Sequence, residues 1–509
     1  MAEKGNTRSE SLPHPESDFL HIQPAERYQR QFSLLNRFGL QSNVILAASF
    51  TNSEGRATVL SKAVVYPAFR RIIQQYPELA MVYFDGPSKK KKSNHRCMSG
   101  FLRSVNLDDH VEFLDIPEIE EELSLTGLIE RYHRTWFDHS KRPPWQFIVV
   151  NGRQTLLVFD HYITDGRGAT FILDSLLEAL NLPDQNENDS SIVQLTSEVK
   201  GFPEVDPVEL LGKPFVFWAI LNYLRFWLIC LFYRGTSVFF HDAKYEEQNF
   251  TFDDPKKEDN VVITKLHTLR LSAKTMIKCL HACREHQTSF TSLLHTLIKV
   301  SLATDFYPEA KFSHSETVID VRPYLPAQQR ERTISTAVSM ISSFDWLSKF
   351  REAGQSRDGE ENSIVNAELL WDLSQQHKAH ITNDLKHEMS WLKAWLSILM
   401  VGEDEEDYIS TLLPGYKLVQ DKTFSVSNLG AFSSADSSAS GPWAISSMEF
   451  SAGAFKAGIG SNMTFNIMGV QNGATVIHVS HEEGSLPEQF VGALLERIEK
   501  RIFAIIEFE

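Results

Sequence analysis

Thr155-Leu156-Leu157-Val158-Phe159-Asp160-His161-Tyr162-Ile163-Thr164-Asp165-Gly166-Arg167-Gly168 runs from an uninterrupted apolar stretch into a histidine, an aspartate and two glycines. Residues 156–159 have the length and composition of a buried strand, and the glycines after His161 mark a sharp change of chain direction. A helical pattern follows at 169–180. The stretch therefore predicts a strand that delivers a group titrating near neutrality to its end, with a carboxylate a few residues on and a residue without a side chain beside it. With 18 histidines in the chain, chance yields His-x-x-x-Asp-Gly about once in twenty such proteins. His380-Ile-Thr-Asn-Asp384 repeats the spacing, but it lacks the glycine and no strand precedes it, so a solvated helix face is expected there.

The rest of the chain bounds the setting. At 509 residues, 42% hydrophobic and 11% aromatic, it has material for two to four domains with large cores. A net charge of −16 and a pI near 5.6 argue against a nucleic-acid binder, whose footprint would be basic. The lysines at 89–92 read as a solvated loop. Cys97, Cys230, Cys279 and Cys283 are too scattered for a disulfide framework, which favours a reducing compartment. Cys279 and Cys283 lie one helical turn apart without further ligands at zinc spacing, so core packing is expected and no metal. The N-terminal residues lack an apolar core, so no signal peptide is expected. Walker A, Gly-x-Ser-x-Gly and His-Glu-x-x-His patterns do not occur.

Taken in order, residues 1–18 are polar and are expected to be disordered. Strands are predicted at 43–50 and 79–84, with a helix at 59–76 interrupted or restarted at Pro67. Asn151-Gly152-Arg153 reads as a hairpin turn between strands at 145–150 and 154–159. Residues 182–191 form a polar linker that closes a first domain at about 19–205. A second domain, 241–509, carries strands at 261–271, 317–322, 336–344, 423–427, 444–450, 463–470 and 474–479. Its helices are expected at 273–286, 289–303, 367–400 and 488–503, with a polar insertion at 351–362. Strands and helices mix without a regular βαβ repeat, so the class is α+β.

Three segments carry a resemblance. His161-x-x-x-Asp165-Gly166 after its strand, Asp320-Val-Arg322-Pro-Tyr-Leu-Pro326, and Val426-Ser427-Asn428-Leu429-Gly430 resemble the fungal alcohol acetyltransferase family, as does the opening segment Pro24-Ala-Glu-Arg-Tyr28. That family belongs to the CoA-dependent acyltransferases, a group that includes chloramphenicol acetyltransferase, plant BAHD enzymes and peptide-synthetase condensation domains. The plant-type Asp-Phe-Gly-Trp-Gly motif is absent. The resemblance implies a two-domain chloramphenicol acetyltransferase-like fold with an active-site tunnel between the domains. It also implies acetyl transfer from acetyl-CoA, a co-substrate and not a permanently bound cofactor, to the hydroxyl of a small or lipid-like alcohol. His161 would act as the base in a ternary complex. Asp165 would point away from the site and pair with Arg322, holding the loop that carries His161. Gly166 has two readings, close backbone approach beside the acyl channel or simple turn chemistry. Ser427, Asn428 and Gly430 would lie beside the thioester as channel and oxyanion candidates, although Ser-Asn-x-Gly is also ordinary turn chemistry. N-acetylation of a sphingoid-type amine and a non-catalytic binding module are the alternatives. A monomer that binds no nucleic acid is expected.

At residues 215–233, 17 of 19 side chains are apolar or aromatic, with only Asn222 and Arg225 interrupting. A helix of that length could cross a bilayer, but a single crossing would put His161 and Arg322 on opposite sides. A membrane-associating insertion at 206–240 is therefore expected, contacting the surface through 214–234, with a buried core helix as the alternative. The cytoplasmic face of the endoplasmic reticulum or of a lipid droplet is the location this suggests.

Overall fold

In the computed structural model the described residues are 12–53, 59–87, 95–116, 125–182, 190–195, 211, 221, 224, 228, 232, 261–330, 334–355, 365–386, 422–433, 441–456 and 460–507. The strands of the first half are β1 (Phe19–Pro24), β2 (Val44–Asn52), β3 (Met81–Pro87), β4 (His95–Leu102), β5 (Ser104–Asn106), β6 (Val111–Leu114), β7 (Trp145–Val150), β8 (Gln154–Phe159) and β9 (Ile192–Gln194). Those of the second half are β10 (Thr264–Leu271), β11 (Phe312–Asp320), β12 (Val338–Trp346), β13 (Phe424–Phe432), β14 (Trp443–Ala452), β15 (Thr464–Val470) and β16 (Thr475–Glu482).

Two mixed sheets carry the architecture, one five-stranded in the order β14-β2-β8-β7-β6 and one six-stranded in the order β10-β16-β15-β13-β11-β12. Strand β8 shows why its sequence is an unbroken apolar run. It lies at the centre of the five-stranded sheet, so Leu157 and Phe159 enter one core while Leu156 and Val158 enter another on the opposite face. Helices Lys62–Gln75 and Gly166–Asn181 cover the first of these faces. Helices Ala273–Glu285, Phe290–Ser301, Ala367–Lys386 and Phe490–Glu507 cover the six-stranded sheet. Cys279 and Cys283 are buried in that second core, the packing role expected of them.

The structure departs from the sequence reading in four places. Strand β14 leaves the second half and pairs with β2 from Trp443↔Asn52 to Ala452↔Val44, so the first sheet is completed by chain from beyond residue 241. Helix Lys62–Gln75 runs through Pro67 without restarting. Pro67 is only half-buried and Ala63, whose carbonyl it leaves unbonded, is exposed, so water can satisfy that oxygen. Residues 12–18 are not free: the Asp18 carbonyl accepts from the Arg103 N–H at 2.8 Å, and Arg103 Nε donates to the Ser17 carbonyl at 2.8 Å. His380 is not a purely solvated face, because its Nε2 lies 3.0 Å from the Ser342 carbonyl on β12.

Among the described residues no helix is long and apolar enough to cross a membrane. Of residues 215–233 only Leu221, Leu224, Leu228 and Phe232 are described; all four are helical and exposed. The lysines at 89–92, most of the linker, most of the polar insertion and the second half of the 367–400 stretch lie outside the described residues.

Candidate active site

Strand β8 ends at Phe159, and the helix Gly166–Asn181 begins six residues after Asp160. His161 stands in the turn between them. Asp160 anchors this turn by accepting the Tyr162 N–H at 2.7 Å, and its other carboxylate oxygen lies 3.1 Å from buried His139 Nε2. From the second half, Thr336 Oγ1 donates to the His161 carbonyl at 3.1 Å. The His161 ring stacks on Phe32 with centroids 3.9 Å apart and planes 11° from parallel. Burial lowers its pKa, against the opposing pull of the Asp165 charge. Among the described residues nothing hydrogen-bonds His161 Nδ1.

Asp165 faces elsewhere. It is the N-cap of the following helix and accepts the Gly168 N–H at 2.8 Å. Arg322 Nη2 donates to both its oxygens at 3.0 and 2.9 Å, and the Ala337 N–H donates at 2.7 Å. These donors use the lone pairs of a carboxylate that is 1% exposed, leaving none for His161. Arg322, which sits in a short turn after β11, also donates to Asp320 Oδ1 at 3.0 Å and to the Ser335 carbonyl. Burial works against the guanidinium charge, but Asp165 and Asp320 outweigh it and raise the pKa of Arg322. The pair ties the His161 turn to the second half of the chain.

His161 opens into a cavity of about 450 Å³ walled by both halves. Helix Arg27–Arg37 contributes Phe32 and Leu35, β11 contributes Glu316, Val318 and Asp320, and β13 contributes Ser425, Ser427 and Asn428. Ser427 and Asn428 therefore share the cavity with His161. Asn428 Nδ2 donates to Thr291 Oγ1 at 3.0 Å and its Oδ1 accepts the Gly430 N–H at 2.8 Å, which among the described residues leaves one amide hydrogen uncommitted. Gly166 also lines the cavity, and a Cβ there would fall 2.9 Å from Phe450 Cε2 and 3.0 Å from Leu429 Cδ1. Its φ is not left-handed, so close approach and not turn geometry is what a side chain would violate. Gly430 stands apart from these residues. It is exposed and off the cavity wall, and its φ of +79° serves a bulge where β13 shifts register against β15 between Asn428 and Ala431.

Several site residues escaped the sequence reading. Phe32 is one of 34 phenylalanines and carries no local signal. Gly168 stands in the quoted stretch, and a Cβ there would clash with the nearby Thr164 hydroxyl and also lie 2.7 Å from the Ile334 carbonyl oxygen, far along the chain. Glu316 and Lys422 form an ion pair of 2.8 Å in the cavity wall, and burial pulls the Lys422 ammonium down to about 8. No motif announces that pair.

The alcohol acetyltransferase family model matches residues 29–496. A probable alcohol acetyltransferase, FCK4 of Fusarium pseudograminearum, is 23% identical over 423 residues, 78% of each chain. The N-acetyltransferase SLI1 of Saccharomyces cerevisiae is 21% identical over 252 residues, 47% of this chain and 52% of that one. Among solved structures, the trichothecene 15-O-acetyltransferase TRI3 of Fusarium sporotrichioides superposes with a TM-score of 0.68 at 11% identity, covering 95% of both chains. The starter condensation domain of rhizomide synthetase, solved with C8-CoA and Leu-SNAC, superposes with a TM-score of 0.60 at 9% identity, covering 96% of this chain and 94% of that one. These likenesses identify the fold as chloramphenicol acetyltransferase-like.

Proposed function

Because this chain belongs to the alcohol acetyltransferase family and is an acyltransferase enzyme, we propose that it passes an acetyl group from acetyl-CoA directly to the hydroxyl of an alcohol, with His161 as general base. The observation that carries this reading is a His161 ring at the wall of a cavity bounded by both halves, its pKa lowered by burial, while Asp165 is fully committed to Arg322 and two backbone N–H groups. The alcohol would give its proton to His161 as its oxygen attacks the thioester carbonyl. Collapse of the tetrahedral intermediate would expel the CoA thiolate, which takes the proton back from His161. The Ser427 hydroxyl and the spare Asn428 N–H are the donors available to the oxyanion. No acyl-enzyme is needed.

His161→Ala tests this, with acetyl transfer followed by thiol release. The expected outcome is a loss of about 10²- to 10⁴-fold with the fold retained. A variant that keeps more than a tenth of the parent rate rejects the assignment. Likeness to an N-acetyltransferase favours a second reading, an amine acceptor, so alcohols and amines belong in the same panel.

Membrane-surface attachment through 214–234 is part of the same proposal. It is supported by the spacing of exposed Leu221, Leu224, Leu228 and Phe232, which falls on one face of a helix. An apolar acceptor dissolved in a bilayer would reach such an enzyme at the surface.

A further inference from the structure

Glu316 and Lys422 stand in the wall of the cavity that holds His161, with Nζ and Oε 2.8 Å apart and side chains 1% and 14% exposed. An ammonium has three donors, and among the described residues only Glu316 meets this one. A buried pair of charges with open donors is costly unless something completes it. Glu316 is steadied from behind by Ser342, its cross-strand neighbour on β12, whose hydroxyl donates at 3.3 Å.

Strand register gives the distance from the chemistry. Glu316, Val318 and Asp320 alternate along β11 and all line the cavity. Asp320 holds Arg322 and so marks the His161 end, since Arg322 binds Asp165 and Thr336 binds the His161 carbonyl. Glu316 is four residues from Asp320, about 13 Å along the strand, but only two from Val318, whose neighbour on β13 is Ser427, so it lies about 7 Å along the strand from that oxyanion donor. Between the two ends the wall carries Val318, Val338 and Met340 with the hydroxyls of Ser339 and Ser427 among them, and Ser425 stands beside Glu316. The cavity thus has a reacting end and a dipolar far end, joined by a wall of mixed apolar and hydroxyl side chains.

Resting on the acetyl-transfer reading, we propose that the Glu316–Lys422 pair binds a second, uncharged oxygen function of the acceptor, carried about 7 to 13 Å from the hydroxyl that reacts. The pair selects an uncharged group. A carboxylate or phosphate would compete with Glu316 for the ammonium, and a cation would compete with Lys422 for the carboxylate. A hydroxyl or carbonyl takes the open Lys422 donors and disturbs neither. Alkanols with one polar end leave those donors unmet, and such mismatches discriminate strongly. The pantetheine amides of CoA carry the same oxygen chemistry, and the experiment must separate the two sources.

Primary alkanols from hexanol to dodecanol are compared, each beside the diol with a second hydroxyl at its far end. Acetyl transfer is measured, together with calorimetric binding in the absence of acetyl-CoA. The variant is Glu316→Gln with Lys422→Met in one chain, since removing either charge alone strands the other. The parent is expected to prefer the diol about ten-fold in kcat/KM at a matching chain length, and the double variant to bring that ratio near one. A ratio of one at every length in the parent overturns the proposal, and this result does not depend on the variant folding. So does a double variant that keeps the ratio but raises KM for acetyl-CoA, which assigns the pair to the pantetheine arm. Calorimetry keeps the two readings apart. Diol binding that the double variant loses, in a protein that acetylates no alcohol, removes the alcohol reading and leaves the oxygen site standing.

Discussion

Burial lowers the pKa of His161, so its imidazole stays neutral and able to accept a proton to a lower pH than an ordinary histidine. A base must be unprotonated to work, so the acid limb of kcat/KM is expected to fall below the ordinary imidazole value of about 6.5. A limb at or above that value would mean that another group sets the rate. Asp165 acts on this histidine at one remove. Its oxygens are taken by Arg322, Gly168 and Ala337, so it fixes the backbone of the turn and not the imidazole tautomer. Asp165→Asn and Arg322→Met are each expected to lower stability and kcat, by about 3 to 5 kcal/mol in stability where a single buried charge is stranded. The double variant should lose less than the sum by about 0.5 to 3 kcal/mol, read from denaturation midpoints of all four proteins. Additive losses would show that the two side chains act independently. The His-x-x-x-Asp-Gly spacing exposed the residues of this turn, because strand end, cap and glycine are local events. It did not expose Phe32, whose contact with His161 is 129 positions away in sequence and has no periodic signature.

Strand β14 decides how the two halves meet. It hydrogen-bonds to β2 in the first sheet while Glu449, near its centre, reaches the second. Arg270 on β10 donates to the two Glu449 oxygens at 2.7 and 3.1 Å, and His478 Nε2 on β16 lies 2.9 Å away. Burial would raise the pKa of Glu449, but the bonds from His478 and Arg270 prevail and lower it from 4.5. A depressed carboxylate contributes stability above its unfolded value and loses that contribution as pH falls through the folded one. Thermal midpoints are therefore expected to drop on acidification below about pH 4.5 more steeply in the parent than in Glu449→Gln. The variant should also be about 1 to 3 kcal/mol less stable at neutral pH. Parallel acid profiles would remove Glu449 from the interface account. The pattern of residues 444–450 identified a strand, but pattern alone does not name a strand's partner. Alternation reports that a face is buried, and either sheet could have buried it.

For the molecule as a whole, the outstanding question is where it works. Leu221, Leu224, Leu228 and Phe232 are exposed on a helical stretch, with Phe232 at 73%. Changing all four to serine should leave the unfolding free energy within about 1 kcal/mol of the parent, since exposed side chains contribute little to the core. Flotation with vesicles of neutral and anionic phospholipid is expected to carry the parent and not this variant. Equal flotation of both, or none of the parent, would dismiss the surface-attachment proposal. The α+β class, the strand–turn–helix around His161 and most element positions were legible in the sequence. Each depends on interactions within a few residues: hydrophobic periodicity, a capping aspartate, glycines and turn residues. Several distant contacts that complete the site were not. The β14 crossing, the approach of Ile334 to Gly168, the Phe32 stack and the Glu316–Lys422 pair join parts of the chain far apart in sequence. They form only when both sheets are packed, because burial gives each contact its strength and no local pattern encodes which distant residue will fill the space.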